Sequence, residues 1–313
     1  MNNNDVAKRM LALRAAFASN PTYASFQRQF QTLLERRRFE MDAGVVSEAR
    51  GIALIGASGS GKTTAVNRLL RSSSDLVLGG IDDIRCDVVS FPVPSPATLK
   101  FVGQTALHSL GYPLRRDKTA YIIWDMVREH LHARRTLFLH LDEAQDLSLH
   151  QTPREMQSVI NTLKSLMQNR SWPVGMILSG MPALKNMLNH DPQLARRFYP
   201  IEFPSLNAIN DIEQVFSTIS FYAAKADLTP AEDLLLPDFA ARLIHAAAGE
   251  FGLTIELIIA AIERALLREA SVLEPRDFRE AFTLRSGCVD GLNPFVAEDF
   301  ERIDSRKLLG GGI

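Results

Sequence analysis

Gly56-Ala57-Ser58-Gly59-Ser60-Gly61-Lys62-Thr63 lies between the apolar run Gly51–Ile55 and the amphipathic stretch Lys62–Leu70. It fits G-x-x-x-x-G-K-[ST] at every fixed position, and the strand before it and helix after it supply the context that gives the motif meaning. The glycines let the backbone curl, so that successive N–H groups and the helix N-terminus face a phosphate chain. Lys62 adds a point charge for β and γ oxygens, Thr63 a hydroxyl for Mg²⁺, and Thr64 follows in the same turn. The stretch Gly56 to Thr64 therefore predicts a bound nucleoside triphosphate, ATP, with its magnesium ion.

A phosphate loop needs acidic partners, and the apolar strand Thr136–Leu141 ends in Asp142-Glu143. Open α/β sheets bind ligands at the carboxyl ends of their strands, which is where this pair falls. Asp142 is placed to orient Mg²⁺ through water, and Glu143 to act as general base on the attacking water. A lone Asp-Glu after a strand is often only a helix start; the upstream loop gives the pair its chemistry. The strand Val174–Ser179 ends in Ser179-Gly180, which offers a hydroxyl between the γ-phosphate and the water, or simply a strand-ending serine. Leu194-Ala-Arg196-Arg197-Phe198 supplies two arginines near a helix end, read either as an arginine finger or as caps for helix carbonyls.

Outward from these motifs, strands are expected at Gly51–Ile55, Arg85–Phe91, Thr136–Leu141, Val174–Ser179 and Pro200–Phe203, with helices between them. This is an α/β pattern with a five-stranded, mostly parallel sheet. Residues 1–47 read as N-terminal helices, 48–204 as the nucleotide-binding domain, and 205–285 as a helical lid in which the strand signal disappears. Residues 286–313, with scattered Gly and Pro, read as a flexible tail. At 313 residues, two packed units are expected. Hydrophobic residues make up 46% and charged residues 23%, which excludes a largely disordered or fibrous chain.

The net charge of −1 supplies no overall attraction to nucleic acid, so any such partner must meet a local basic face. Glu35–Arg38 reads as a solvated helix face or as a DNA contact. Cys86 and Cys288 form no CxxC pair, and the start MNNNDVAKRM lacks a secretory core. Apolar runs fall short of a membrane span. A soluble, cytoplasmic protein with no membrane partner is expected. His130 and His132 turn to different helix faces and suggest no zinc, while His140 reads as packed against a neighbouring helix.

Together, Gly56–Thr63, Leu139-His-Leu-Asp-Glu-Ala-Gln-Asp-Leu147, Leu178-Ser-Gly-Met-Pro-Ala-Leu184 and Gln193-Leu-Ala-Arg-Arg-Phe198 resemble the transposition ATPases TniB and TnsC, within the AAA+ superfamily. The resemblance covers most of residues 20–285. It implies Walker A at Lys62 and Thr63, Walker B at Asp142 and Glu143, sensor 1 at Ser179, and a finger at Arg196 or Arg197 acting on a neighbouring subunit. It also implies double-stranded DNA, a transposase and target-selection protein as partners, and a homo-oligomeric ring or helical filament. Lys100, Arg115, Arg116, Lys118 and Thr119 are the candidate DNA contacts, against the plain reading of a charged surface loop.

One departure stands out: Gly249-Glu-Phe-Gly252-Leu-Thr-Ile-Glu256, where many AAA+ proteins carry a sensor 2 arginine, has no basic residue. Slow, switch-like hydrolysis follows from that. Rival readings are a secretion-type ATPase, which would continue into a membrane segment, and a replication initiator or helicase loader. The latter would add a winged helix, for which the residues after 283 are too few. An ATP-gated scaffold with negligible hydrolysis is the rival from another class.

Overall fold

A computed structural model of the chain describes residues 3–80, 83–149 and 152–309. In chain order its helices are α1 (Asn3–Ala15), α2 (Pro21–Asp42), α3 (Lys62–Ser72), α4 (Leu99–Ser109), α5 (Ala120–Ala133), α6 (Pro153–Met167), α7 (Ala183–Asn189), α8 (Pro192–Ala195), α9 (Ile212–Lys225), α10 (Pro237–Ala246), α11 (Phe251–Leu267), α12 (Pro275–Ser286) and α13 (Ser305–Leu309). The strands are β1 (Gly51–Gly56), β2 (Val88–Pro92), β3 (Phe138–Asp142), β4 (Gly175–Gly180), β5 (Phe198–Phe203), β6 (Thr229–Pro230) and β7 (Val272–Leu273). The contacts divide the chain into two units: Asn20–Ala57 with Lys62–Phe203, and Met1–Ser19 with Ser58–Gly61 and Pro204–Ile313.

In the first unit five parallel strands run in the order β2-β3-β4-β1-β5. β1 and β4 are buried at every residue, as expected of central strands covered on both faces. Register sets Ser90 opposite His140 and Leu54 opposite Ser179, so the carboxyl ends of β1, β3 and β4 lie side by side. The core is built from Val89, Phe91, Leu139, Leu141, Met176 and Leu178 of the sheet, with Leu107, Ile123, Val127, Ile160 and Leu163 from the helices. α6 begins with a capping box in which Thr152 and Glu155 satisfy each other's backbone N–H groups.

The charged segment near the end of α2 is solvated at Glu35 and Arg36 but not throughout. Arg37 is buried with its guanidinium over the Trp172 ring, at 5.2 Å, and Arg38 donates to the Asp75 carbonyl. Phe26 and Phe30 of α2 draw the helix onto the sheet, Phe30 meeting Phe138 at 5.1 Å, and Arg37, two turns on, is drawn in with it. His130 stacks on Tyr112 and His132 on Trp172.

The second unit is helical apart from a two-residue parallel pair, β6 with β7, whose apolar signal is too short to register as strands in the sequence. α1 belongs here and not with α2: Val6, Met10 and Leu13 are buried among Ile219, Tyr222, Ile258 and Ile262, and the Tyr222 hydroxyl donates to the Ala16 carbonyl. The tail, expected to be flexible, is packed through Leu309. Asn293 is fully buried and donates to the Arg279 carbonyl and to Thr283, Arg242 ties down the Pro294 and Ala297 carbonyls, and Arg306 pairs with Glu250. Phe295 sits among Phe239, Phe278 and Phe282. Among the described residues no single helix is long and apolar enough to cross a membrane.

Candidate functional site

The loop after β1 takes positive φ at Gly59 (+82°) and Gly61 (+95°), a region that only glycine enters without strain. Lys62, at the start of α3, is buried, and its Nζ donates back to the Gly56 and Ala57 carbonyls at 2.9 and 2.8 Å. Its charge is thus held over the loop, which is where a phosphate chain would lie. The tip Ser58–Gly61 is counted with the helical unit, and there Leu253 N–H donates to the Gly59 carbonyl at 3.1 Å. A Cβ on Gly252 would stand 2.4 Å from that carbonyl oxygen, so only glycine lets the two backbones approach this closely.

Thr63, on the next residue of α3, donates its hydroxyl proton to Asp142 Oδ2 at 2.7 Å. The two predicted magnesium residues are therefore in contact. Two oxygen donors fit a hard cation that takes one or two protein ligands and completes its shell with phosphate and water. Among the described residues no larger group of His, Cys, Asp or Glu competes with them. Glu143 follows in the left-handed region (φ 54°), which turns it out of the strand direction into solvent. Its Oε2 accepts from Gln145 Nε2 at 2.8 Å, and Gln145 Oε1 accepts from Met181 N–H at 2.9 Å. Gln145, 4% exposed, is thus the strut that fixes the Glu143 carboxylate, a role the sequence reading did not assign.

Ser179 is fully buried, and its hydroxyl donates to Asp142 Oδ1 at 2.6 Å. Its single proton is committed to Asp142 here, which orients that carboxylate. His140 does not pack on a helix. Its ring spans two serines, with Nδ1 2.7 Å from Ser90 Oγ and Nε2 2.8 Å from Ser179 Oγ. Burial pushes its pKa down to about 4, opposed by the Asp142 charge, so the ring is neutral at neutral pH. Strand alternation held the clue, since His140 and Asp142 stand two apart and so share a face.

The two candidate finger residues part company. Arg197 is 1% exposed, pairs with Glu48 and donates to the Gln193 carbonyl, while burial lowers its pKa. It is a structural arginine, held because the start of β5 turns its side chain inward. Arg196 is exposed; its backbone carbonyl accepts from Arg50 at 2.7 Å and its N–H donates to the Pro192 carbonyl at 3.3 Å. The Lys100–Asp117 ion pair, at 2.6 Å, brings α4 to the loop that carries Arg115, Arg116 and Lys118. Thr119, the N-cap of α5, makes no side-chain cap bond.

A phosphate loop after β1, paired carboxylates after β3 and the order β2-β3-β4-β1-β5 define a P-loop nucleotide-binding protein with the AAA+ fold. Solved structures agree: Cdc6p from Pyrobaculum aerophilum is similar at 19% identity and a TM-score of 0.59, over 86% of this chain and 68% of that one. The ORC1 protein of Aeropyrum pernix, solved in complex with DNA, is similar at 15% identity and a TM-score of 0.62, over 86% and 66%. The ORC2 protein of Aeropyrum pernix, solved with ADPNP and ADP, gives 16% and 0.54, over 80% and 66%. The chain thus spans about two thirds of the length of these structures. The family profile described as Bacterial TniB protein matches residues 14–208, more than half of the sequence, and the chain belongs to the TniB family. A comparison with curated proteins returns no match.

Proposed function

We propose that this chain is an ATP-dependent, DNA-binding regulator of transposition, which assembles on target DNA as a ring or filament and recruits or activates a transposase. Membership of the TniB family across the phosphate loop and both carboxylates carries this reading. On ATP binding Lys62 exchanges the Gly56 and Ala57 carbonyls for β and γ oxygens, while Thr63 and Asp142 hold the cation. Magnesium, when bound, draws charge from the transferring phosphoryl group. Glu143, through Oε1, the oxygen that Gln145 leaves open, accepts the proton of the water that attacks γ-phosphorus as the bond to ADP breaks. Hydrolysis then disassembles the complex.

The basic loop at Arg115, Arg116 and Lys118, with Lys100 beside it, is the DNA-facing surface in this reading, and it suits phosphate contacts more than base recognition. A replication-type reading is favoured by the fold shared with the Cdc6 and ORC structures. One experiment separates the readings: electron microscopy of the protein with duplex DNA and a non-hydrolysable ATP analogue, alongside ATP turnover with and without DNA. Nucleotide-dependent assemblies on DNA of arbitrary sequence support a transposition regulator. Absence of both DNA binding and turnover would refute it.

A further inference from the structure

Between the edge strand β2 and the magnesium residues runs a chain of hydrogen bonds whose proton directions can be deduced. Asp142 Oδ1 accepts from the Ser179 hydroxyl across 2.6 Å. A hydroxyl has one proton, and Ser179 therefore accepts from His140 Nε2 across 2.8 Å. That makes Nε2 the protonated nitrogen. In the neutral ring Nδ1 is then a bare acceptor, and the Ser90 hydroxyl, 2.7 Å away, is its donor. The sequence Ser90 to His140 to Ser179 to Asp142 has every proton pointing the same way, toward the carboxylate. Aligned donors polarise one another, and each strengthens the next.

We propose that His140, as its Nε2–H tautomer, is a positioning residue for the magnesium site: it forces Ser179 to act as a one-way donor and so fixes the Asp142 carboxylate that Thr63 shares. The register supports this. Ser90 lies directly across from His140 in the β2–β3 ladder, so the tautomer is selected from a neighbouring strand and not by solvent. Asp142 Oδ1 takes Ser179 and its neighbour's Glu143 N–H, at 3.1 Å, leaving Oδ2 for Thr63 and the cation. Without the imidazole N–H, the Ser179 hydroxyl is free to rotate and the carboxylate loses its fixed plane. Groups that orient a ligand from behind commonly change metal affinity by roughly 10-fold to 100-fold when removed.

The proposal rests on the nucleotide-binding reading above, and its test keeps the two apart. Affinity for a fluorescent ATP analogue is measured with Mg²⁺ and with EDTA, for wild type, His140→Gln and His140→Asn. The Gln amide nitrogen replaces Nε2 and restores a donor to Ser179, whereas Asn reaches only the Ser90 side. His140→Gln should keep most of the magnesium-dependent gain, His140→Asn should lose roughly tenfold or more of it, and EDTA affinities should agree. Asn matching wild type in that gain, or both affinities falling together, overturns the proposal. Nitrogen NMR of the wild-type imidazoles gives a readout that needs no nucleotide, the His140 signal being the one lost in His140→Gln. A protonated Nε2 with bare Nδ1 is expected; the opposite tautomer refutes the chain. Should wild type bind no nucleotide, the functional reading falls, and the tautomer still decides the direction of the hydrogen bonds.

Discussion

The Thr63 hydroxyl donates to Asp142 across 2.7 Å, joining the first turn of α3 to the end of β3. The contact arises because β4 lies between β1 and β3 and aligns their carboxyl ends. Lys62, one residue earlier, is held by the Gly56 and Ala57 carbonyls of its own loop. In the proposed reading, side chains for the phosphates and for the cation are therefore already held in place, which reduces the reorganisation that binding requires.

From this division of labour, Lys62→Ala should abolish ATP binding, while Glu143→Gln should bind ATP as wild type does and fail to turn it over. Equilibrium binding and phosphate release measured on both variants check this. Equal loss of nucleotide affinity in the two would remove the assignment.

The strut behind Glu143 can be tested without touching any ionisable group. A Cβ on Gly180 would stand 2.5 Å from Gln145 Oε1 and 3.1 Å from Gln145 N, so Gly180→Ala must displace Gln145 and release Glu143. Turnover should fall by roughly 10-fold or more, in the range expected when a general base loses its position, with ATP affinity retained. A variant with wild-type turnover would show that Gln145 does not hold the base.

Much of this site was legible in the sequence because its parts lie in short, continuous motifs. The loop and the Asp142-Glu143 pair needed only the strand context, and all five sheet strands fall within a few residues of their expected places. What escaped depended on side-chain direction in three dimensions. Nothing in Arg196-Arg197 says which arginine points inward; that follows from where β5 begins and where Glu48 waits. His140 looked like a packing residue because its two serine partners come from different strands. The tail read as loose because its Gly and Pro content hides three anchoring contacts, at Asn293, Phe295 and Arg306.

For the basic loop, DNA affinity should fall steeply with salt, by a slope of about 0.9 for each phosphate neutralised. Arg116→Glu and Lys118→Glu should weaken binding to all sequences alike. Lys100→Ala should matter less, because Lys100 is already neutralised by Asp117 at 2.6 Å. Filter-binding across a salt series reads the slope, and an unchanged slope in Arg116→Glu would place the DNA elsewhere.

Acid should weaken the first unit through Asp191. The Lys164 ammonium, 2.7 Å away, and the N–H groups of Leu194 and Gln193 hold its carboxyl below the usual range. A carboxyl depressed in the folded state adds stability above its unfolded pKa of about 3.9, and that stability is lost as pH falls through the folded value. Asp191→Asn should therefore be less stable than wild type at pH 7, with the difference shrinking below about pH 4. Denaturant melts at both pH values measure it. A difference independent of pH would mean that the charge contributes nothing.

Arg196 and Arg197, adjacent in sequence, should behave oppositely. Arg197→Ala strips Glu48 of its buried partner and should cost about 2 kcal/mol, below the range for a wholly buried pair because Glu48 is partly exposed. The melting temperature should drop by several degrees. Arg196→Ala removes no side-chain hydrogen bond or ion pair among the described residues, so its melting temperature should be unchanged. If Arg196 acts as a finger on the γ-phosphate held by the next subunit, its loss should lower turnover by roughly 10³-fold or more. Turnover of the wild type should also rise more steeply than linearly with protein concentration, since each site is completed at an interface. Mixing Lys62→Ala with Arg196→Ala provides the decisive reading. Each variant alone is dead, but a mixed assembly contains interfaces that pair an intact phosphate loop with an intact arginine, and partial activity should return. Mixed oligomers that form and remain inactive would show that Arg196 does not act in trans, and would leave DNA contact as the remaining role for its exposed guanidinium.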